Sequence, residues 1–222
     1  MNTHDLSPTE LARFNMIEQQ IRPWNVLDTN VLQLLSELKR EDFVPTERKS
    51  LAFMDIMLPL SGSASMLAPK VEARLLQDLK LTGTESVLEI GTGSGYMAAL
   101  LGRMSKHVTT LEIDPVLASQ ATENLSHAVV ANVDVRVADG SKTDAIHGEF
   151  DVIVLSGSVA KVPASLMAKL KVGGRLAAIV GAEPVMRMTL TTRTSSGLQT
   201  TEPWDTLAPR LVGFPELEKF TF

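Results

Sequence analysis

From residue 71 onward the chain alternates short apolar runs with stretches of helical spacing. Residues 71–79 read as a helix, and residues 86–90 form a compact apolar run that ends at Gly91. A helix is predicted over 96–104, and a second strand over 107–111 ends at Glu112. Residues 115–127 read as a helix with Pro115 in its first turn, where a proline is already shaped for the helix. A third strand, 133–137, runs into Ala138-Asp139-Gly140, and a fourth spans 150–155. A helix over 164–170, closed by Gly173-Gly174, leads to a fifth strand at 175–180. Apolar strands separated by helices predict a parallel sheet covered on both faces. Residues 186–194 and 198–201 flank Ser195-Ser196-Gly197, the pattern of a terminal antiparallel hairpin.

The first third has a different rhythm. Apolar residues at 11, 14, 17 and 21 predict a helix that Pro23 stops. A second amphipathic stretch, 26–38, has apolar residues at 27, 31, 34, 35 and 38. Pro45, Pro59 and Pro69 then punctuate a loop-rich region. The expected fold is α/β: a Rossmann-like, doubly wound, mostly parallel sheet with a C-terminal antiparallel hairpin and an N-terminal helical segment. The expected division is an accessory segment over 1–70 and a ligand-binding unit over 71–222.

The candidate chemistry sits where the first of these strands meets its helix. Glu89-Ile90-Gly91-Thr92-Gly93-Ser94-Gly95-Tyr96 puts three glycines in one turn, which lets a ligand approach bare backbone. The spacing is Gly-x-Gly-x-Gly rather than the Gly-x-Gly-x-x-Gly of dinucleotide folds, and no Gly-Lys-Ser/Thr follows. Glu89 would repel a pyrophosphate, which disfavours NAD. It suits a ligand carrying ammonium and sulfonium groups, as S-adenosylmethionine does. Glu112 and Asp139 end the next two strands, and such strand ends line one crevice in an open α/β sheet. Glu112 is placed to accept both ribose hydroxyls, with Ile113 beside it, and Asp139-Gly140 to meet the adenine. Asp114, just before Pro115, reads as a helix cap. Ser156, after the fourth strand, lies on the same side of the sheet.

Composition narrows this without redirecting it. The chain has 222 residues, 44% hydrophobic and 21% charged, enough apolar material for a large core. A net charge of −5 gives no global attraction to nucleic acid or anionic lipid. The absence of cysteine excludes disulfides, thiolate metal sites and cysteine nucleophiles. His4, His107, His127 and His147 lack metal-ligand spacing, so no metal is expected. The sequence starts without a basic, apolar leader, and no apolar run approaches the roughly 18 residues of a membrane span. The expectation is a cytoplasmic monomer or homodimer.

Taken together, these residues resemble the protein-L-isoaspartate O-methyltransferase family. Gln20-Ile21-Arg22, Asp28, Val31-Leu32 and Arg40-Glu41-Asp42-Phe43-Val44-Pro45 match its N-terminal part. Ala52-Phe53-Met54-Asp55 and Leu58-Pro59-Leu60 match its next segment. The glycine turn, Leu111-Glu112, Asp139-Gly140, Phe150-Asp151 and Gly173-Gly174-Arg175-Leu176 match its cofactor domain, so the resemblance covers about residues 15–181. It implies S-adenosylmethionine as cofactor, S-adenosylhomocysteine as product and the carboxylate of isoaspartyl residues in damaged proteins as acceptor. A carboxylate is already nucleophilic, so placement rather than a general base would carry the reaction.

The family's Gly-x-Gln-Thr-Ile-Ser-x-Pro signature is altered. Aligned on Pro59 and Pro69, Ala64 stands for the glutamine, Ser65 for the threonine and Leu67 for the serine near the reacting groups. Ser65 and the Leu67 position are therefore the candidates for the catalytic side. Lys70 reads either as a partner for an acceptor carboxylate or as a solvated helix-start residue. The altered loop leaves two alternatives open: another carboxylate or small-molecule acceptor, or cofactor binding without catalysis.

Overall fold

The computed structural model describes residues 6–216. Of the residues singled out from sequence, His4 lies outside that range. Among the described residues, nine strands and six α-helices are joined by short 3-10 and π turns. The main sheet contains β3 (Ser86–Ile90), β4 (His107–Glu112), β5 (Val133–Val137), β6 (Phe150–Val159), β7 (Leu170–Ala182), β8 (Val185–Thr194) and β9 (Gly197–Thr206). They lie in the order β5-β4-β3-β6-β7-β8-β9. The first five pair in parallel, and β8 and β9 add antiparallel strands at one edge. The expected mixed α/β sheet is therefore the observed one. β1 (Leu58–Pro59) and β2 (Ser65–Met66) form a separate two-residue ladder.

The central strands of the sheet are buried on both faces, as parallel strands generally are, while the edge strands β5 and β9 are more open to solvent. Along β3, Val87 joins one apolar cluster with Leu75, Leu100 and Val108. Leu88 and Ile90 join the other, with Leu111, Ile153, Leu166 and Leu176. N-terminal residues Met16, Ile21 and Leu35 belong to the first cluster, so the N-terminal helices pack on the same core as the sheet. Helix α3 (Pro69–Leu79) ties them down through polar contacts as well. Its Gln77 accepts from the Leu27 and Asp28 amides at 2.7 and 2.9 Å, and Arg74 donates to the Trp24 carbonyl at 3.0 Å.

Several boundaries differ from the sequence reading, each for a physical reason. Helix α1 (Pro8–Met16) starts earlier than expected, because Ser7 and Glu10 form a reciprocal capping box. It then passes through a π turn, Ile17–Ile21, and a 3-10 turn, Arg22–Trp24. Helix α2 (Thr29–Glu37) begins only after Asp28, whose carboxylate caps the Asn30 and Val31 amides. Gly173-Gly174 does not close a helix. Helix α6 is just Ala164–Met167, and the two glycines lie within β7, where its pairing with β6 shifts register between Phe150 and Val152. Both β6 and β7 run longer than their apolar cores, because neighbouring strands extend their hydrogen bonding past the hydrophobic run.

Candidate cofactor and acceptor site

A cavity of about 280 Å³ opens at the carboxyl ends of β3, β4, β5 and β6. Its floor is the turn between β3 and α4 (Tyr96–Met104). Gly91 and Gly93 take φ of +92° and +54°, conformations that side-chain-bearing residues rarely adopt. A Cβ on Gly91 would lie 2.7 Å from Leu211 Cδ2, a side-chain tip that would have to shift, so the positive φ is the stricter demand for glycine here. Gly95, at φ +84°, faces Ala121 of α5 (Pro115–His127) and lets two helices close together rather than forming a wall.

Glu112 stands on the β4 side of the cavity. Its two oxygens accept from the Gly93 amide at 2.8 Å and the Asp114 amide at 3.1 Å. A carboxylate offers about four acceptor positions, so lone pairs remain for a ligand's hydroxyls. Asp114 caps α5 by accepting from the Val116 and Leu117 amides, and it also lines the cavity. Ile113, Gly140 and Ser156 complete the walls predicted from sequence, and Ser65 is a wall as well.

The other predicted residues lie under or beside the cavity. Glu89 is fully buried beneath the floor, where it accepts from Thr110 Oγ1 at 2.7 Å and Ser156 Oγ at 2.6 Å. Thr92 Oγ1 meets the Thr110 hydroxyl at 2.6 Å, extending this chain of hydroxyls. Thr92, Ser94, Tyr96 and Leu67 surround a smaller space below the glycines, which Ser65, Ser156 and Glu72 also touch. Leu67 joins the core and presents its carbonyl to Arg40. Asp139 turns toward its own loop, accepting from the Ser141 amide and hydroxyl at 3.0 and 2.6 Å, while Ala138 and Gly140 reach the cavity. Those bonds hold the Asp139 carboxyl below its ordinary range, the Ser141 hydroxyl contributing most. Lys70 pairs with Asp55 at 2.6 Å and sits over the Trp24 ring, outside the cavity.

Burial pushes Glu89 up to about 7 despite the Ser156 and Thr110 hydroxyls, and the negative charges of Glu112 and Glu72 push in the same direction. In the unfolded chain its value returns toward 4.5. Between those values the folded protein holds a proton that the unfolded chain has lost. This contribution to stability is therefore complete below about pH 4.5 and is lost as pH rises through 7. Glu89→Gln keeps the shape and removes the titration. Its stability relative to the wild type is expected to rise by roughly 1–3 kcal/mol between pH 5 and pH 8. Urea unfolding of both proteins at the two pH values checks this, and a constant difference contradicts it.

One group of walls has no counterpart in the sequence reading. Residues 209–212 and Phe214 cross the opening as a strap. Ser158 pins it: its amide donates to the Pro209 carbonyl at 2.7 Å, its hydroxyl to the Ala208 carbonyl at 2.9 Å, and its carbonyl accepts from the Leu211 amide at 2.9 Å. Pro209 was the available local signal. The pairing itself depends on the late extension of β6, which no local pattern announces.

Comparison with known proteins agrees with this architecture. The sequence profile of the protein-L-isoaspartate(D-aspartate) O-methyltransferase family matches residues 12–205. A protein-L-isoaspartate O-methyltransferase of Rhodopseudomonas palustris is 39% identical over 168 residues, spanning 76% of this chain and 77% of the relative. One from Koribacter versatilis is 33% identical over 209 residues, 94% of each chain. Among solved structures, a protein-L-isoaspartate O-methyltransferase superposes with a TM-score of 0.77 at 23% identity, covering 90% of this chain and 66% of that one. A Plasmodium falciparum chain solved in complex with S-adenosyl-L-homocysteine gives 0.71 at 17%, covering 92% and 99%. At those identities the structures speak for the fold, and the sequence matches carry the assignment. The chain belongs to the protein-L-isoaspartate(D-aspartate) O-methyltransferase family.

Proposed function

We propose that this protein binds S-adenosylmethionine in the cavity above Gly91 and Gly93 and methylates the free carboxylate of isoaspartyl residues in proteins. The observation that carries the reading is Glu112, held by two backbone amides at the cavity wall beside the half-buried backbone of Gly91 and Gly93. Gly91 and Gly93 would admit the amino-acid portion of the cofactor, Glu112 would accept from its ribose, and the Ala138–Gly140 wall would border its adenine. The acidic side chains Glu112 and Asp114 both line this cavity, which favours a cationic ligand. When bound, the cofactor supplies an electrophilic methyl group whose bond to sulfur breaks as an acceptor oxygen attaches, leaving a neutral thioether. The protein's part is then to hold two reactants in line and keep water out.

The test is transfer of labelled methyl from S-adenosylmethionine to a peptide carrying one isoaspartyl residue, with the ordinary aspartyl peptide as control. Repeated turnover on the isoaspartyl peptide alone is expected. Turnover on neither peptide, in a protein that binds the cofactor, would reject the acceptor assignment.

A second reading keeps the cofactor and changes the acceptor. The loop over the cavity, residues 61–65, offers only serine hydroxyls as side-chain polar groups, and Leu67 points into the core. A screen of small carboxylates and other acceptors with labelled cofactor distinguishes the two.

A further inference from the structure

Charge in the cavity is divided across the sheet. Glu112 and Asp114 lie on the β4 side of the glycine floor. β6 flanks β3 on the opposite side, and the strap is hydrogen-bonded to it. Among the described residues lining this cavity, Arg210 of the strap is the only one with a cationic side chain. The loop opposite, residues 61–65, is uncharged.

Arg210 is held in place by backbone contacts on both sides. The Pro209 carbonyl and the Leu211 amide both bond to Ser158, so the residue between them is fixed relative to β6. Its guanidinium is only partly occupied. Nε pairs with Glu216 at 3.1 Å, while Nη1 is buried with no hydrogen-bond partner among the described residues. A guanidinium has five N–H donors in a planar fork that matches a carboxylate. A desolvated nitrogen without an acceptor is unfavourable in the free protein, so a turn of the enclosed guanidinium that brings it to an anion in the cavity is favoured.

We propose that Arg210 is the specificity residue that recognises the acceptor's carboxylate, orienting it on the β6 side of the cavity. The assignment rests on the proposed isoaspartyl activity. Lys70, the other cation considered for this role, is already paired with Asp55 outside the cavity. An arginine that holds one carboxylate oxygen leaves the second free to attack, and the negative side chains Glu112 and Asp114 are left to the cofactor.

The experiment compares wild type, Arg210→Gln, Arg210→Lys and Glu216→Gln, each loaded with S-adenosylhomocysteine. Calorimetry measures binding of an isoaspartyl peptide and of its methyl ester, the reaction product, which lacks the charge and carries one extra methyl group. Wild type is expected to prefer the free carboxylate, and Arg210→Gln to lose about ten- to a hundredfold of affinity for it while binding the ester unchanged. Arg210→Lys restores part of that loss, having charge without the fork. In turnover, Arg210→Gln raises the peptide KM far more than it lowers kcat, and S-adenosylmethionine affinity is preserved. Glu216→Gln removes the same salt bridge but keeps the arginine, so its peptide affinity does not fall. Equal loss in Glu216→Gln and Arg210→Gln would show that the bridge only supports the strap, and would overturn the assignment. An active wild type whose Arg210→Gln variant keeps its preference for the free carboxylate overturns it as well, leaving the activity standing. A wild type that neither binds nor methylates the peptide overturns the activity itself, and this assignment with it.

Discussion

Arg40→Met is expected to lower the unfolding free energy by roughly 3–5 kcal/mol, the usual consequence of removing one partner from a buried ion pair. Arg40 and Glu72 are 1% and 3% exposed and in direct contact. Arg40 also donates to the Ala52 carbonyl at 3.1 Å and the Leu67 carbonyl at 2.9 Å, and its guanidinium lies 5.0 Å from the centre of the Tyr96 ring. One side chain thus joins the N-terminal segment, the altered loop and the first residue of α4. The methionine fills similar volume but leaves Glu72 in an apolar site without its counter-charge. For a chain of this size the melting temperature should fall by about 6–20 °C. Burial already raises Glu72 to about 7 against the pull of Arg40, so without the arginine it protonates more readily still. The deficit should accordingly be smaller at pH 5 than at pH 8. A second change, Glu72→Leu, removes the unpaired charge and should restore much of the loss. Thermal unfolding of the single and double variants at both pH values decides the matter. A single variant within 1 °C of wild type at pH 8 would contradict it.

Glu112→Ala is expected to weaken S-adenosylmethionine and S-adenosylhomocysteine binding by about ten- to more than a hundredfold, since hydrogen bonds to a charged acceptor contribute roughly 1.5–3 kcal/mol. Two effects add. The ribose hydroxyls lose their acceptor, and the Gly93 and Asp114 amides lose the carboxylate that aligns them. Glu112→Gln keeps a carbonyl for one of these amides but no charge, and should fall between the two. Calorimetric titration of both ligands gives the values directly. An alanine variant that binds as tightly as wild type would remove Glu112 from the site.

What could be read from sequence follows from where the information is stored. The glycine turn and Glu112 were legible because their geometry is local: a strand, three glycines in five positions, and a helix can be arranged in few ways. The parallel part of the sheet was legible because each of its strands carries its own apolar residues, and the terminal hairpin because Ser195-Ser196-Gly197 marks its turn. Glu89 was identified by type and position, but a strand's two faces are not distinguished by an acid at its end. Its side chain went under the glycine loop because Thr110 and Ser156 supply hydroxyls there. Asp139 shows the same limit, its side chain being captured by Ser141 two residues on. Gly173-Gly174 was misplaced because glycines serve bulges as readily as helix ends. The strap, with Arg210, is marked in the sequence only by Pro209, which does not show where it docks. It is held by Ser158, some fifty residues earlier, and such pairing exists only once the sheet is assembled.

The most direct test of the cofactor site is a crystal structure of this protein with S-adenosylhomocysteine bound. The predicted result places both ribose hydroxyls within hydrogen-bonding distance of the Glu112 carboxylate, with the homocysteine chain over Gly91 and Gly93. A ligand seated elsewhere, or Glu112 turned away from the ribose, would contradict it.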